Sequence, residues 1–306
     1  MHRYFASGLS IASELTLPGL EPTTPTDVPD LVFRLGEVPE TLAGAEHCGP
    51  TWQIEGARFL LRIPSVARFL IREGREVIAQ CEGSTPVSDL AVFLSGSVFG
   101  ILLHQRRRLV LHGSAVVVNG RAVLFCGPSG AGKSTLAAIL GERGYALGAD
   151  DICAISLDHN GPRMWADGRR LKLWRESIDA LAWTERQANP VRQRIEKFYV
   201  RPDSSVSGAI PIGAIYALRE ARPPHSPGIE HPNVVDAART LLRNAYRPLL
   251  VRQLQQRPLY FQAGSQLATL GLVHTLTRPL DFALTDRTTA WLEAHWRALG
   301  LMEAAA

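Results

Sequence analysis

One octapeptide restricts this chain more than any other feature. Gly127, Pro128, Ser129, Gly130, Ala131, Gly132, Lys133 and Ser134 read GxxxxGK[ST] in full. The apolar run AVLFC precedes it, and TLAAIL, beginning at Thr135, follows it. A strand, a glycine-rich turn and a helix in that order form a phosphate-binding loop. The glycines let backbone N–H groups turn inward around phosphate oxygens. The helix start adds the positive end of its dipole. Lys133 is placed to reach β and γ phosphates, and the Ser134 hydroxyl to ligate Mg²⁺. The chain must therefore contain an α/β unit that binds a nucleoside triphosphate.

The next strand, YALGA, ends in Asp150 and Asp151. A carboxylate at the end of a neighbouring strand is where a phosphate loop needs a second magnesium contact. Two adjacent carboxylates can divide the work, one holding the metal and one accepting a proton from an attacking hydroxyl. Asp150 is assigned to the metal with Ser134, and Asp151 to the hydroxyl. The order within the pair stays open.

Around this centre the chain divides into two parts. Residues 1–86 are short alternating runs separated by Pro and Gly turns, including DLVFRLG, TWQIEG, ARFLLRIP, ARFLIREG and EVIAQCEG. They predict a β-rich domain without catalytic motifs, either a recognition and docking unit or a cap on residues 87–306. Residues 22–27 predict a surface loop. Leu90 to Leu103 carries no charge but is shorter than the ~18–20 residues a membrane span needs. A buried helix over 88–105 is expected, opened by Ser88 or Asp89 and closed by Arg106, Arg107 and Arg108. Asn119-Gly120 between apolar runs predicts a hairpin, and a helix is expected over 133–142 with Gly144 behind it. Further on, 185–197 reads as a loop or helix and 221–232 as a Pro-rich surface loop. Helices are expected over 236–246, 264–276 and 287–299.

Composition narrows the function classes. Of 306 residues, 46% are hydrophobic and 20% charged, which excludes a disordered chain. Lys and Arg number 33 against 29 Asp and Glu, too small a surplus to point to nucleic acid. The 4 cysteines form no CxxC pair, and the first twenty residues lack an apolar core of signal-peptide length. A reducing cytoplasmic location is expected.

The stretch Leu111 to Ile155 resembles the catalytic core of HPr kinase/phosphorylase. It carries the same succession of His112-Gly113, phosphate loop, Arg143-Gly144 turn and Ala149-Asp150-Asp151. The resemblance implies a P-loop kinase domain of the HPr kinase/phosphoenolpyruvate carboxykinase type, here with an N-terminal β-rich domain. It implies ATP and Mg²⁺ as cofactors and phosphoryl transfer to a serine hydroxyl. His112 would lie near the moving phosphoryl group, with Asp151, Asp150 and Lys133 as its catalytic partners. Two features depart from that family. Ile152-Cys153 stands where a basic residue is expected, and the later glycine-rich signature linked to phosphorolysis is not recognisable. The overall layout is closer to the HPr-kinase-like peptide serine kinases of ribosomal (lasso) peptide biosynthesis. The implied partner is a peptide or small-protein acceptor, with no nucleic acid; a homo-oligomer is compatible with these features.

Lys172, Arg194, Lys197, Arg243 and Arg247 are the remaining cations that could meet substrate or phosphate, Lys197 and Arg243 foremost. Each on its own reads as a solvated surface charge, and Trp165 and Trp174 read as core. Two other readings compete with a peptide kinase. One is a small-molecule kinase, and the other is an ATP-dependent switch that turns over slowly without an acceptor.

Overall fold

The alternating runs of the first 81 residues form one eight-stranded sheet in the computed structural model, which describes residues 1–24, 28–83, 85–167, 169–191 and 196–303. The spatial order is His2–Ala6, Leu9–Ser13, Leu31–Leu35, Glu76–Cys81, Ala67–Arg72, Arg58–Ile63, Trp52–Glu55 and His47–Gly49. Both neighbours of Leu31–Leu35 run parallel to it, and the other pairings are antiparallel. Strand side chains alternate between faces. Phe59, Leu61, Phe69, Ile71 and Val77 therefore face one core, while Leu60 and Leu70 face a smaller one with Val38 and Leu42. Of the expected loop at 22–27, Pro22 to Thr24 are exposed and 25–27 lie outside the described residues.

The apolar run becomes a buried helix that covers the first of these faces. It runs Val87–Phe93, then a π-helical turn at Leu94–Val98, then Phe99–Gln105. Pro86 occupies the N-cap, not Ser88 or Asp89, which sit in the first turn. A proline has no N–H and holds an extended backbone here, so it starts the helix without leaving a donor unpaired. Leu90, Leu94, Val98, Phe99 and Leu102 pack into the N-terminal core. At about 1.5–3 kcal/mol per fully buried side chain, this burial fixes the run inside the protein. Among the described residues no helix is long and apolar enough to cross a membrane.

The second sheet has nine strands. Its path is Ala146–Asp150, Gly113–Val118, Arg121–Cys126, Ser207–Glu220, Gly161–Asp167, Cys153–Asp158 and Leu109–Leu111. Ser207–Glu220 holds it together. Its first residues pair antiparallel with Gly161–Asp167, and the rest lies between Arg121–Cys126 and Val273–Arg278, parallel to both. Asn119 and Gly120 have φ of 45° and 74°, the pair of positive values a tight hairpin turn requires. Helix Lys133–Glu142 and helix Thr285–Ala298 cover one face through Leu136, Leu140, Leu292 and Trp296. Helices Val234–Arg243 and Arg257–Thr269 cover the other through Leu241, Tyr260 and Leu267.

Three expectations are corrected. Residues 264–276 are not one helix. The helix ends at Thr269, Gly271 turns at φ 70°, and Val273–Arg278 continues as a strand. Within 185–197, Gln187–Pro190 is a strand paired with Lys197–Val200 in a small sheet with Leu171–Trp174, and 192–195 lie outside the described residues. The Pro-rich segment 221–232 contains a short strand, Gly228–Glu230. The two sheets also share a core: Val110, Ile152, Ala154, Tyr246 and Leu250 pack into the same cluster as the N-terminal strands.

Candidate active site

The phosphate loop leaves strand Arg121–Cys126 and enters helix Lys133–Glu142 through Gly132, whose φ is 76°. A side chain at Gly132 would be strained by that backbone, and its Cβ would collide with Arg278 Nη2. Arg278 Nη2 donates to the carbonyls of Ala131 and Gly132 at 3.0 and 3.4 Å, fastening the loop to strand Val273–Arg278. Lys133 Nζ donates to the carbonyls of Gly127 and Pro128 at 2.9 Å each. Burial pulls the Lys133 ammonium below its ordinary pKa, and Asp150 opposes that pull. Thr135 Oγ1 lies 3.0 Å from Ser177 Oγ.

Asp150 ends a strand one place removed from the loop strand and parallel to it, so its carboxylate arrives at the loop's edge. Its Oδ1 accepts from Ser134 Oγ at 2.7 Å and Ser114 Oγ at 2.6 Å. Its Oδ2 accepts from the Lys172 backbone N–H at 2.8 Å. A phosphate-bound magnesium needs only one or two protein oxygens. Ser134 Oγ and Asp150 Oδ1 are such a pair of hard donors. Among the described residues no cluster of three or more His, Cys, Asp or Glu could hold a metal by itself.

Asp151 faces a different set of partners because its φ of 75° turns the chain sharply after Asp150. Asp is among the few non-glycine residues that tolerate this region. Its Oδ2 accepts from Lys172 Nζ at 2.9 Å. His112 Nδ1 lies 3.1 Å from the Asp151 carbonyl and 3.3 Å from Oδ1. Both neighbours are acceptors, which puts the ring proton on Nδ1. Burial alone would raise the Asp151 carboxyl, but Lys172 and His112 outweigh it and hold the group well below the ordinary value. Ile152, the departure noted in the sequence, is 0% exposed and packs into the N-terminal core. A basic residue there would bury an unpaired charge.

Three adjoining cavities surround the loop. The largest, about 860 Å³, is lined by Lys133, Ser134, Asp150, Lys172, Trp174, Lys197 and Arg278 among others. A second, about 550 Å³, is lined by Gly127, Pro128, Tyr246, Arg243 and Arg247. His112 and Asp151 line both of them. A third, about 530 Å³, lies beside Ser129, Gly130 and Ala131 and also reaches Arg243. None of the described residues of 1–86 lines any of the three.

The structure thus brings together His112, the loop residues, Asp150 and Asp151. Lys197 lines the largest cavity with its ammonium 5.6 Å from the centre of the Trp174 ring. Arg243 and Arg247 are exposed at the second cavity. Arg194 lies outside the described residues. Two readings are corrected. Lys172 is buried and paired with Asp151, because a strand end carries it under the aspartates. Trp174 is 51% exposed in a cavity wall, whereas Trp165 packs against the core as expected. Sequence reasoning missed Arg278 and Tyr246. The alternation of VHTLTR and the following Pro279, which favours extended backbone before it, could have exposed the strand that delivers Arg278. Nothing local marks Tyr246; its N–H bonds to Val110 O and its ring meets His112 edge-on, both across long separations.

Among solved structures, the chain is similar to the Hpr(Ser) kinase/phosphatase from Coxiella burnetii, with 14% sequence identity and a TM-score of 0.34. That similarity covers 62% of this chain and 98% of the other. No family model and no curated protein matches the chain.

Proposed function

We propose that the protein is an ATP-dependent kinase that transfers a γ-phosphoryl group to a hydroxyl, most simply a serine of a peptide or small protein. One observation carries this reading. The two aspartates are separated in role by their partners, Asp150 on Ser134 and the loop, Asp151 on His112 and Lys172. Asp151 also opens onto a second cavity at the Gly127–Pro128 end of the loop. An ATP switch needs the first carboxylate and has no use for the second.

Chemistry follows from these positions. ATP and Mg²⁺, when bound, supply the phosphoryl group and neutralise its charge; Ser134 and Asp150 would hold the ion. Lys133 Nζ, resting on the Gly127 and Pro128 carbonyls, would meet the β and γ phosphates of a bound triphosphate. The acceptor oxygen forms its bond to the γ phosphorus as the bridge to the β phosphate breaks. Asp151 orients the acceptor O–H and takes its proton. A carboxylate held this acidic is a weak base, which suits a loose transition state that demands little proton removal before P–O cleavage. Lys172 and His112 keep that carboxylate charged and fixed.

The test is transfer of labelled γ phosphate from ATP and Mg²⁺ to a short Ser peptide, its Ala counterpart, folded HPr and free serine. The expected result is one added phosphate on the Ser peptide and none on the Ala peptide. Transfer to free serine alone would favour a small-molecule kinase, and transfer to HPr alone a dedicated HPr kinase. Acceptor-independent hydrolysis with no phosphorylated product would leave the switch.

A further inference from the structure

The second cavity contains positive charge that the transfer reaction itself does not use. Segment Asn244–Tyr246 is stitched to the strand end beside the site. His112 N–H donates to Asn244 O at 2.9 Å, and Tyr246 N–H donates to Val110 O at 2.8 Å. This stitching holds Arg243 and Arg247 on either side of the segment, both lining the cavity that Asp151 faces. Neither has a carboxylate partner among the described residues. Arg243 has no hydrogen bond or ion pair among them, and Arg247 has only neutral ones, the Ser97 hydroxyl and the Tyr246 ring. Asp151, the one acid in this wall, is already engaged by Lys172 and His112.

The backbone adds a second observation. Arg247 holds φ 52°, a region costly for a residue with a long side chain. It is anchored there by Ser97, which lies in the π-helical turn Leu94–Val98. π turns recur at functional sites. Two left-handed non-glycine residues, Asp151 and Arg247, therefore face one cavity beside Gly127 and Pro128 of the phosphate loop.

Resting on the kinase reading above, we infer that the acceptor carries a carboxylate close to its reacting hydroxyl, and that Arg243 and Arg247 bind it. A guanidinium fork matches a carboxylate with two parallel N–H bonds. A singly charged group suits this place better than a phosphate dianion, because Asp151 and the γ phosphate are already negative neighbours. The carboxylate comes from an acidic side chain beside the serine or from the chain end when the serine is terminal.

Four peptides separate these sources: Ser next to Glu with an amidated end, Ser at a free C-terminus, the neutral Gln and amide counterpart, and one with Lys beside Ser. Transfer from ATP is measured with each, using the full chain and its R243A, R247A and R247K variants. The expected result is a KM at least about tenfold lower for one or both carboxylate peptides than for the neutral one. R247A and R243A each erode that preference by raising KM on the carboxylate peptides more than on the neutral one; R247K keeps part of it. Equal KM for all four peptides would overturn the proposal while leaving the kinase reading intact. So would a fall in kcat of the same size on every peptide, which would assign the arginines to the moving phosphoryl group. Absence of transfer to all four, with ATP still bound, would remove the kinase reading and this inference with it.

Discussion

The two sides of Lys133 are built differently. On the nucleotide side, Gly127 to Thr135 is one continuous segment whose geometry follows from its own glycines, strand and helix. On the other side, His112, Asp151 and the adjacent Tyr246 and Arg247 come from three separate segments joined by a few long-range hydrogen bonds. Local sequence specifies the first. The second exists only when the sheet, the helix over 87–105 and the N-terminal core are all in place. The contrast predicts that damage to one side spares the other.

The sharpest break of that contrast pairs two substitutions. Asp151→Asn should lower kcat by about 10²–10⁴-fold, the usual worth of a positioned proton acceptor, with ATP affinity unchanged. Lys133→Ala should lower transfer by about 10²–10³-fold and weaken ATP binding as well. Nucleotide titration beside single-turnover transfer reads both. Should Asp151→Asn abolish ATP binding, the two sides are one unit and the roles of the aspartates are shared or reversed.

A smaller effect concerns what holds Asp151. Ile152→Ala empties a fully buried place in the N-terminal core and should cost about 2–5 kcal/mol of stability. Below the melting temperature, transfer should fall more than ATP affinity, because the cavity opens next to Asp151 and far from the loop glycines. Denaturant unfolding gives the first quantity. Equal losses on both sides would deny the N-terminal core its local role.

The smallest effect is a pH dependence on the nucleotide side. His274 is 3% exposed on the strand that ends in Arg278, and neither ring nitrogen has a hydrogen-bond partner among the described residues. Burial, with His295 and His231 adding to it, lowers its pKa from 6.5 to about 4. The unfolded chain then takes up a proton before the folded one does. Stability should therefore decline as pH falls from about 6.5 and level off below about 4. His274→Phe should flatten that stretch of the curve of unfolding midpoint against pH. An unchanged curve would place the acid sensitivity elsewhere.

Legibility in the sequence followed the same divide. The hairpin at Asn119-Gly120, the loop, the helix Lys133–Glu142 and the aspartate strand all rest on interactions within a few residues, and all could be read. The alternating N-terminal strands could be read too, but not that Leu31–Leu35 lies between two parallel neighbours. Lys172 reads like any surface lysine because its partner is 21 residues away, in the turn that follows another strand. The sequence predicts Val273–Leu276 as part of the preceding helix because LVHTL is apolar enough to suit either period; Gly271 and Pro279 mark the ends of the strand.

The Arg278 clamp has a consequence in time. The loop carbonyl of Ala131 waits for a guanidinium 147 residues further along the chain. At about 5–20 residues per second, a ribosome needs roughly 7–30 s to bridge that gap. During that interval the nascent loop has its strand, its helix and the local Lys133 bonds, but not the clamp from Arg278. A polypeptide arrested before residue 278 would display the whole phosphate motif and still grip nucleotide poorly. The signature that is easiest to read is thus among the later parts of the molecule to become competent.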